Sequence, residues 1–245
     1  MDSYEFSIAE IAAVKKEFPK LQFTSPDTWE GTVDFYATHK GYAIRGSFDV
    51  LIKIPTGYPE KIPIAYDTGG SAKTVAKKYN KKVKDLHCDP KDNSICLCVR
   101  QEESKNFPPG ATMVSFIDTL VTPYFYGLEY YKERGKWPWR EYSHGGLGIL
   151  EYHAEDTSIH SQMDITKLAS FLYSYSNKEL KKCRRAILNP LIAKCICGSN
   201  LQFESCYNLA WAGLMRFARN AEEMHLSPKK LLIKVDKHGR LKKRY

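Results

Sequence analysis

Trp29-Glu30-Gly31-Thr32-Val33-Asp34-Phe35-Tyr36-Ala37, followed by Phe48-Asp49-Val50-Leu51-Ile52-Lys53-Ile54, is the stretch that decides the fold. Apolar residues recur at every second position in both runs, the period of a half-buried strand. Lys40-Gly41 lies between them and reads as a turn. A third short strand is predicted over Ile62 to Tyr66, bounded by Gly57-Tyr58-Pro59 and Pro63. Such short links favour antiparallel pairing, because parallel strands need a crossover of a dozen or more residues.

Upstream, Ser7-Ile8-Ala9-Glu10 fits a capping box, and Ile8, Ile11, Ala12 and Phe18 follow at helical spacing until Pro19. Downstream, residues 69–94 show no long periodic element and lead into Ile95-Cys96-Leu97-Cys98-Val99. A long irregular segment inside a compact domain is usually functional. A helix is predicted from about Ala111, with Val114, Ile117, Leu120 and Val121 on one side, ending at Pro123. The aromatic stretch Tyr124 to Tyr131, Trp137-Pro138-Trp139 and the Gly-rich Ser143 to Gly148 complete a first domain over residues 1–155. Residues 156–245 read as a basic helical extension. Ile165, Leu168, Leu172 and Leu180 mark one helix, and Leu209 to Met224 another.

Composition narrows the function classes. Hydrophobic residues make up 43% of 245, enough for a sizeable core. No apolar run approaches the ~20 residues that cross a bilayer, and residues 1–20 do not form a secretory signal, so a cytoplasmic location is expected. Seven cysteines, an odd number, predict reactive or metal-bound thiols rather than a disulfide framework. From Ser161 onward there are 17 Lys and Arg against 6 Asp and Glu, whereas residues 1–160 hold 20 against 22. The basic character, including Lys229-Lys230 and Lys242-Lys243-Arg244, therefore belongs to the last third. It reads as a solvated face, or as a surface for an acidic partner or nucleic acid. No nucleic-acid reading motif accompanies it.

Cys96 is the candidate nucleophile. It closes a loop where a thiol can meet solvent and an incoming chain, and a thioester is a reactive acyl donor. His87 is the candidate partner; the local signature of a papain-like protease is missing.

Five segments together resemble the ubiquitin-conjugating enzymes. They are Trp29-Glu30-Gly31-Thr32, Gly46-Ser47-Phe48-Asp49-Val50, Tyr58-Pro59 with Pro63, His87 followed by Ile95-Cys96-Leu97, and Phe107-Pro108-Pro109. The resemblance covers residues 1 to about 130. It implies an α+β fold in which an N-terminal helix, a four-stranded antiparallel meander and later helices pack together. It also implies that Cys96 accepts the C-terminal carboxyl of a protein as a thioester and passes it to a lysine. The family's His-Pro-Asn is His87-Cys88-Asp89 here. An ionised Asp89 cannot donate to an oxyanion, so Asn93 or backbone N–H groups would have to serve. Cys98 follows at the position that shares a strand face with Cys96 and is a secondary candidate.

Trp137-Pro138-Trp139 and His144-Gly145-Gly146 resemble the prokaryotic branch of that family, especially the stand-alone proteins of CBASS anti-phage systems. The implied partner is a cGAS/DncV-like nucleotidyltransferase whose C-terminal tail is conjugated, with His144 near the site. Two other readings stand beside this one: a tail-binding module of the same fold without turnover, and a nucleic-acid-binding accessory. Finally, Cys195-x-Cys197-Gly198-Ser199 with Cys206 resembles the small SEC-C zinc motif, with Tyr207 at the last ligand position. Cys183 or His225 would complete a tetrahedral structural zinc site.

Overall fold

The computed structural model describes residues 4–158 and 160–233. The chain divides into two compact units. The first is built from the residues before Val99 together with Glu102–Arg140; the second, from Val99–Gln101 and the residues after Arg140.

The first unit is α+β. Helix α1 (Ile8–Glu17) begins at the capping box, where Ser7 accepts from Glu10 N and the Glu10 carboxylate accepts from Ser7 N at 2.9 Å. Strands β1 (Leu21–Ser25), β2 (Thr28–His39), β3 (Tyr42–Lys53) and β4 (Ile64–Asp67) form one antiparallel sheet in sequence order. Lys40 and Gly41 both have positive φ, 47° and 80°, which matches the two-residue turn that follows the twist of a β2–β3 hairpin. Trp29, Val33, Val50 and Ile52 point inward and are buried, as their alternation predicted.

Two predictions about this unit are corrected. Residues 69–94 contain a helix, α2 (Ser71–Lys78). Its two-turn length is near the limit of what periodicity can reveal, and its cap comes from tertiary structure. The buried Asp67 carboxylate, at the end of β4, accepts from Ser71 N at 3.0 Å and Ala72 N at 2.8 Å. It satisfies two of the N–H groups that a helix start leaves open. Second, the helix that was to end at Pro123 runs through residues 113–134 as α3. Met113–Phe116 is followed by a π turn, Ile117–Val121, and then by Thr122–Arg134. In the wide turn Thr122 N bonds back to Ile117 O. That spacing accommodates a proline ring, which lacks an N–H and would clash in a regular helix.

The second unit is helical: α4 (Gly146–Glu155), α5 (Gln162–Phe171), α6 (Asn177–Leu188) and α7 (Asn208–Glu223). Residues 141–155, assigned above to the first domain, group with this unit instead. The reason is the pairing of α4 with α7, so close that a Cβ at Gly213 would stand 1.8 Å from the Leu150 carbonyl oxygen. The single helix expected across Ile165 to Leu180 is two, because Ser176 starts a new capping box with Glu179. Among the described residues no helix is long and apolar enough to cross a membrane. Lys229 and Lys230 fall in a one-turn helix, Pro228–Leu231, whereas Lys242-Lys243-Arg244 lies outside the described residues.

Gly127 of α3 carries the indole of Trp137. A Cβ there would lie 2.3 Å from Trp137 Cζ3. Gly127→Ala should therefore destabilise the protein by about 1–3 kcal/mol through overpacking and shift its tryptophan fluorescence. An unchanged urea midpoint would mean that Trp137 is free to move aside.

Candidate functional site

Cys96 is positioned by a hook of chain on the free edge of β4. Ile95 N donates to Ala65 O at 2.9 Å, and Asp67 N donates to Asn93 O at 3.0 Å, so residues 93–95 continue the sheet for one step. The same segment closes on the start of its own loop. Asp89 N donates to Ser94 O and Cys96 N donates to His87 O, both at 2.8 Å. In extended chain successive side chains face opposite ways. Ile95 is buried in the core, and Cys96 next to it is an exposed free thiol.

The loop rests on α3. The Tyr124 hydroxyl donates to Leu86 O at 3.0 Å in a buried contact, and burial pushes that hydroxyl well above the ordinary tyrosine range. Trp137, held over Gly127, meets the His87 ring edge-on at 5.6 Å. Sequence reasoning named both residues but assigned neither as a support of this loop. A glycine inside an aromatic helical run was the available signal of a close approach.

The predicted residues separate into different roles. His87 sits at a left-handed φ of 56° and reaches Cys96 through its backbone carbonyl, while its ring packs on Trp137. Asp89 is exposed and accepts from Lys91 N at 2.8 Å. Asn93, also left-handed at φ 64°, has a buried Oδ1 with no partner among the described residues. What this leaves over is acceptor capacity, since Oδ1 cannot donate. Cys98 does not share a face with Cys96 as a regular strand would dictate. The chain bends there, the Cys96 thiol contacts Cys98 O at 3.7 Å, and the Cys98 side chain packs against the core. Burial pushes its thiol up to about 12, and Cys88 up to about 11 for the same reason. His144 belongs to the second unit, immediately before α4, whereas Cys96 belongs to the first.

The second unit brings Cys195, Cys197 and Cys206 together, their sulfurs all within 4.8 Å of one another. Cys195 N donates to Leu201 O at 2.9 Å, closing the loop that carries the first two, and Cys206 ends a single helical turn, Phe203–Cys206. The Ser199 hydroxyl lies 3.2 Å from both Cys197 and Cys206. Burial raises the Cys195 thiol. At Cys197 burial is outweighed by hydrogen bonds from Ser199 and its cysteine neighbours, and the thiol is lowered. Cys197 and Cys206 are 3.6 Å apart. Two sulfurs on one tetrahedral ion with 2.3 Å bonds stand ~3.8 Å apart, so this trio can hold a metal ion. Cys183 and His225 are not part of the group. Cys183 is buried on α6.

Compared with known proteins, the chain matches no family model and no curated protein.

The geometry ranks the thiols of the first unit. In a short maleimide pulse at neutral pH, Cys96 should be labelled at least tenfold faster than Cys88 or Cys98, because only the thiolate reacts and burial suppresses it at the other two. Peptide mapping checks this. Equal labelling of Cys98 would remove the basis for separating it from Cys96.

Proposed function

We propose that this chain is an acyl carrier of the ubiquitin-conjugating type, with Cys96 as the atom-bearing nucleophile. The observation that carries the reading is the presentation of Cys96. Its thiol is exposed, its own backbone N–H is tied to His87, and the preceding residue is locked into the sheet edge. A nucleophile fixed on a rigid scaffold needs little reorganisation to meet an incoming carbonyl.

The chemistry runs in two balanced steps. A protein tail arrives with its C-terminal carboxyl already activated, as a thioester or acyl adenylate supplied by an activating enzyme. The Cys96 thiolate attacks the carbonyl, a C–S bond forms, and the donor thiol or AMP leaves. A lysine amine then attacks the new thioester. The C–N bond forms, the C–S bond breaks, Cys96 departs as thiolate, and the amine proton passes to solvent. An oxyanion needs a donor, which Asp89 cannot be when ionised; the Asn93 amide Nδ2 or backbone N–H groups of the loop would have to serve.

The tryptophan-proline-tryptophan and histidine-glycine-glycine segments point this reading to anti-phage CBASS signalling. There the tail belongs to a cGAS/DncV-like nucleotidyltransferase, and its transfer to lysine regulates that enzyme. In this reading the cysteine trio would hold zinc in a structural role; among the described residues the close group of metal-ligating side chains contains no carboxylate to serve a hydrolase. Zinc analysis of purified protein should give about one ion per chain. Cys206→Ser should lose the ion, and zinc chelation should lower the melting temperature of the parent protein. A metal-free preparation with the same melting temperature would sink the zinc assignment.

Co-expression with a cGAS/DncV-like nucleotidyltransferase and the activating enzyme of a CBASS system tests the acyl transfer. The expected result is an adduct that hydroxylamine cleaves, present in Cys98→Ala and lost in Cys96→Ala. Co-purification without any adduct would leave a tail-binding module and remove the enzyme.

A further inference from the structure

A cavity of about 290 Å³ opens in the second unit, lined by Lys182, Arg185, Asn189, Ile192, Ala193 and Lys194. Its size is near the lower end of ligand sites, and three of its six lining residues are cations. Lys182 is committed in part, donating to the Cys195 carbonyl at 2.9 Å. Arg185 and Lys194 are exposed. Among the described residues none of the three cations is in an ion pair.

Ile192 of the cavity lining, and aliphatic residues next to the lining in the chain or across its bridge, are left in water. Leu188, Leu191, Ile192 and Leu201 are 51%, 82%, 73% and 59% exposed, half of the large apolar residues that the described surface leaves open. They form one neighbourhood. Leu188 ends α6, and Leu191 and Ile192 form the next turn. Gln202, which follows Leu201, donates to Leu191 O at 2.9 Å and pairs with Lys194 across an antiparallel bridge. Exposed apolar residues beside unpaired cations at the edge of a concavity mark a contact surface rather than a solvated face.

We propose that this surface docks an acidic peptide segment of a partner protein, one that alternates carboxylates with aliphatic side chains. Charge complementarity selects the occupant. Carboxylates meet Arg185 and Lys194, and leucine or isoleucine covers Leu191 and Ile192. The sequence of residues 234–245 carries six Lys and Arg against one Asp, a charge that does not complement the cations of this surface. Nucleic acid would take the cations but has no use for the aliphatic rim, because stacking needs aromatic rings. The docking surface belongs to the second unit and Cys96 to the first, and the proposal does not depend on the acyl-carrier reading.

The test is fluorescence anisotropy with the full chain and a labelled peptide of about ten residues that alternates Glu or Asp with Leu or Ile. Two controls accompany it: the same peptide with Ser in place of every aliphatic residue, and a labelled single-stranded oligonucleotide. The variants are Arg185→Glu with Lys194→Glu, and separately Leu191→Ser with Ile192→Ser. All four positions are exposed, and circular dichroism confirms that the variants fold. The proposal expects saturable binding of the aliphatic acidic peptide, weakened at least tenfold by each double variant and by the Ser peptide. No binding, or binding indifferent to Leu191→Ser with Ile192→Ser, overturns it. So does an oligonucleotide that binds more tightly than the peptide and loses its affinity in the charge-reversed variant.

Discussion

The first unit depends on how the open edge of β4 is closed. An edge strand exposes a row of unpaired N–H and C=O groups, and natural proteins cover or blunt it. Here residues 93–95 cover it, with Ile95 N on Ala65 O and Asn93 O receiving Asp67 N. The same step that closes the sheet buries Ile95 and turns Cys96 outward. Edge protection and thiol presentation are thus one structural event. Asp67 links it to the rest, since its backbone receives the hook while its carboxylate caps α2.

The elements with local signals were readable in advance. The β2–β3 hairpin carries strict alternation around a two-residue turn, and α1 carries its own capping box. What was missed depended on partners distant in sequence. The start of α2 is capped by a side chain four and five residues upstream, on a strand, rather than by the adjacent residue. The π turn before Pro123 overrode a proline that by itself reads as a stop. The unit border lies near residue 140 because α4 pairs with α7, some sixty residues later, and no local pattern records that pairing.

The sites divide in the same way. The position of Cys96 after the loop was readable. Its supports were not, because Tyr124 and Trp137 act across the fold on Leu86 O and the His87 ring. Strand parity put Cys98, the secondary candidate, on the face of Cys96, but parity fails where the chain bends. Spacing found three of the four cysteines proposed for a metal. Cys183 lies on α6, outside the trio that its spacing neighbours form.

Acceptance of an acyl group by Cys96 is the central claim, and a chemically prepared thioester reaches it without an activating enzyme. The full chain, loaded with zinc to shield the cysteine trio, would be mixed at neutral pH with a short peptide thioester, and the acyl-protein digested and mapped by mass spectrometry. The account predicts one hydroxylamine-labile acyl group, on Cys96. Acylation that maps to Cys98, or to the cysteines of the second unit with Cys96 unmodified, would contradict it.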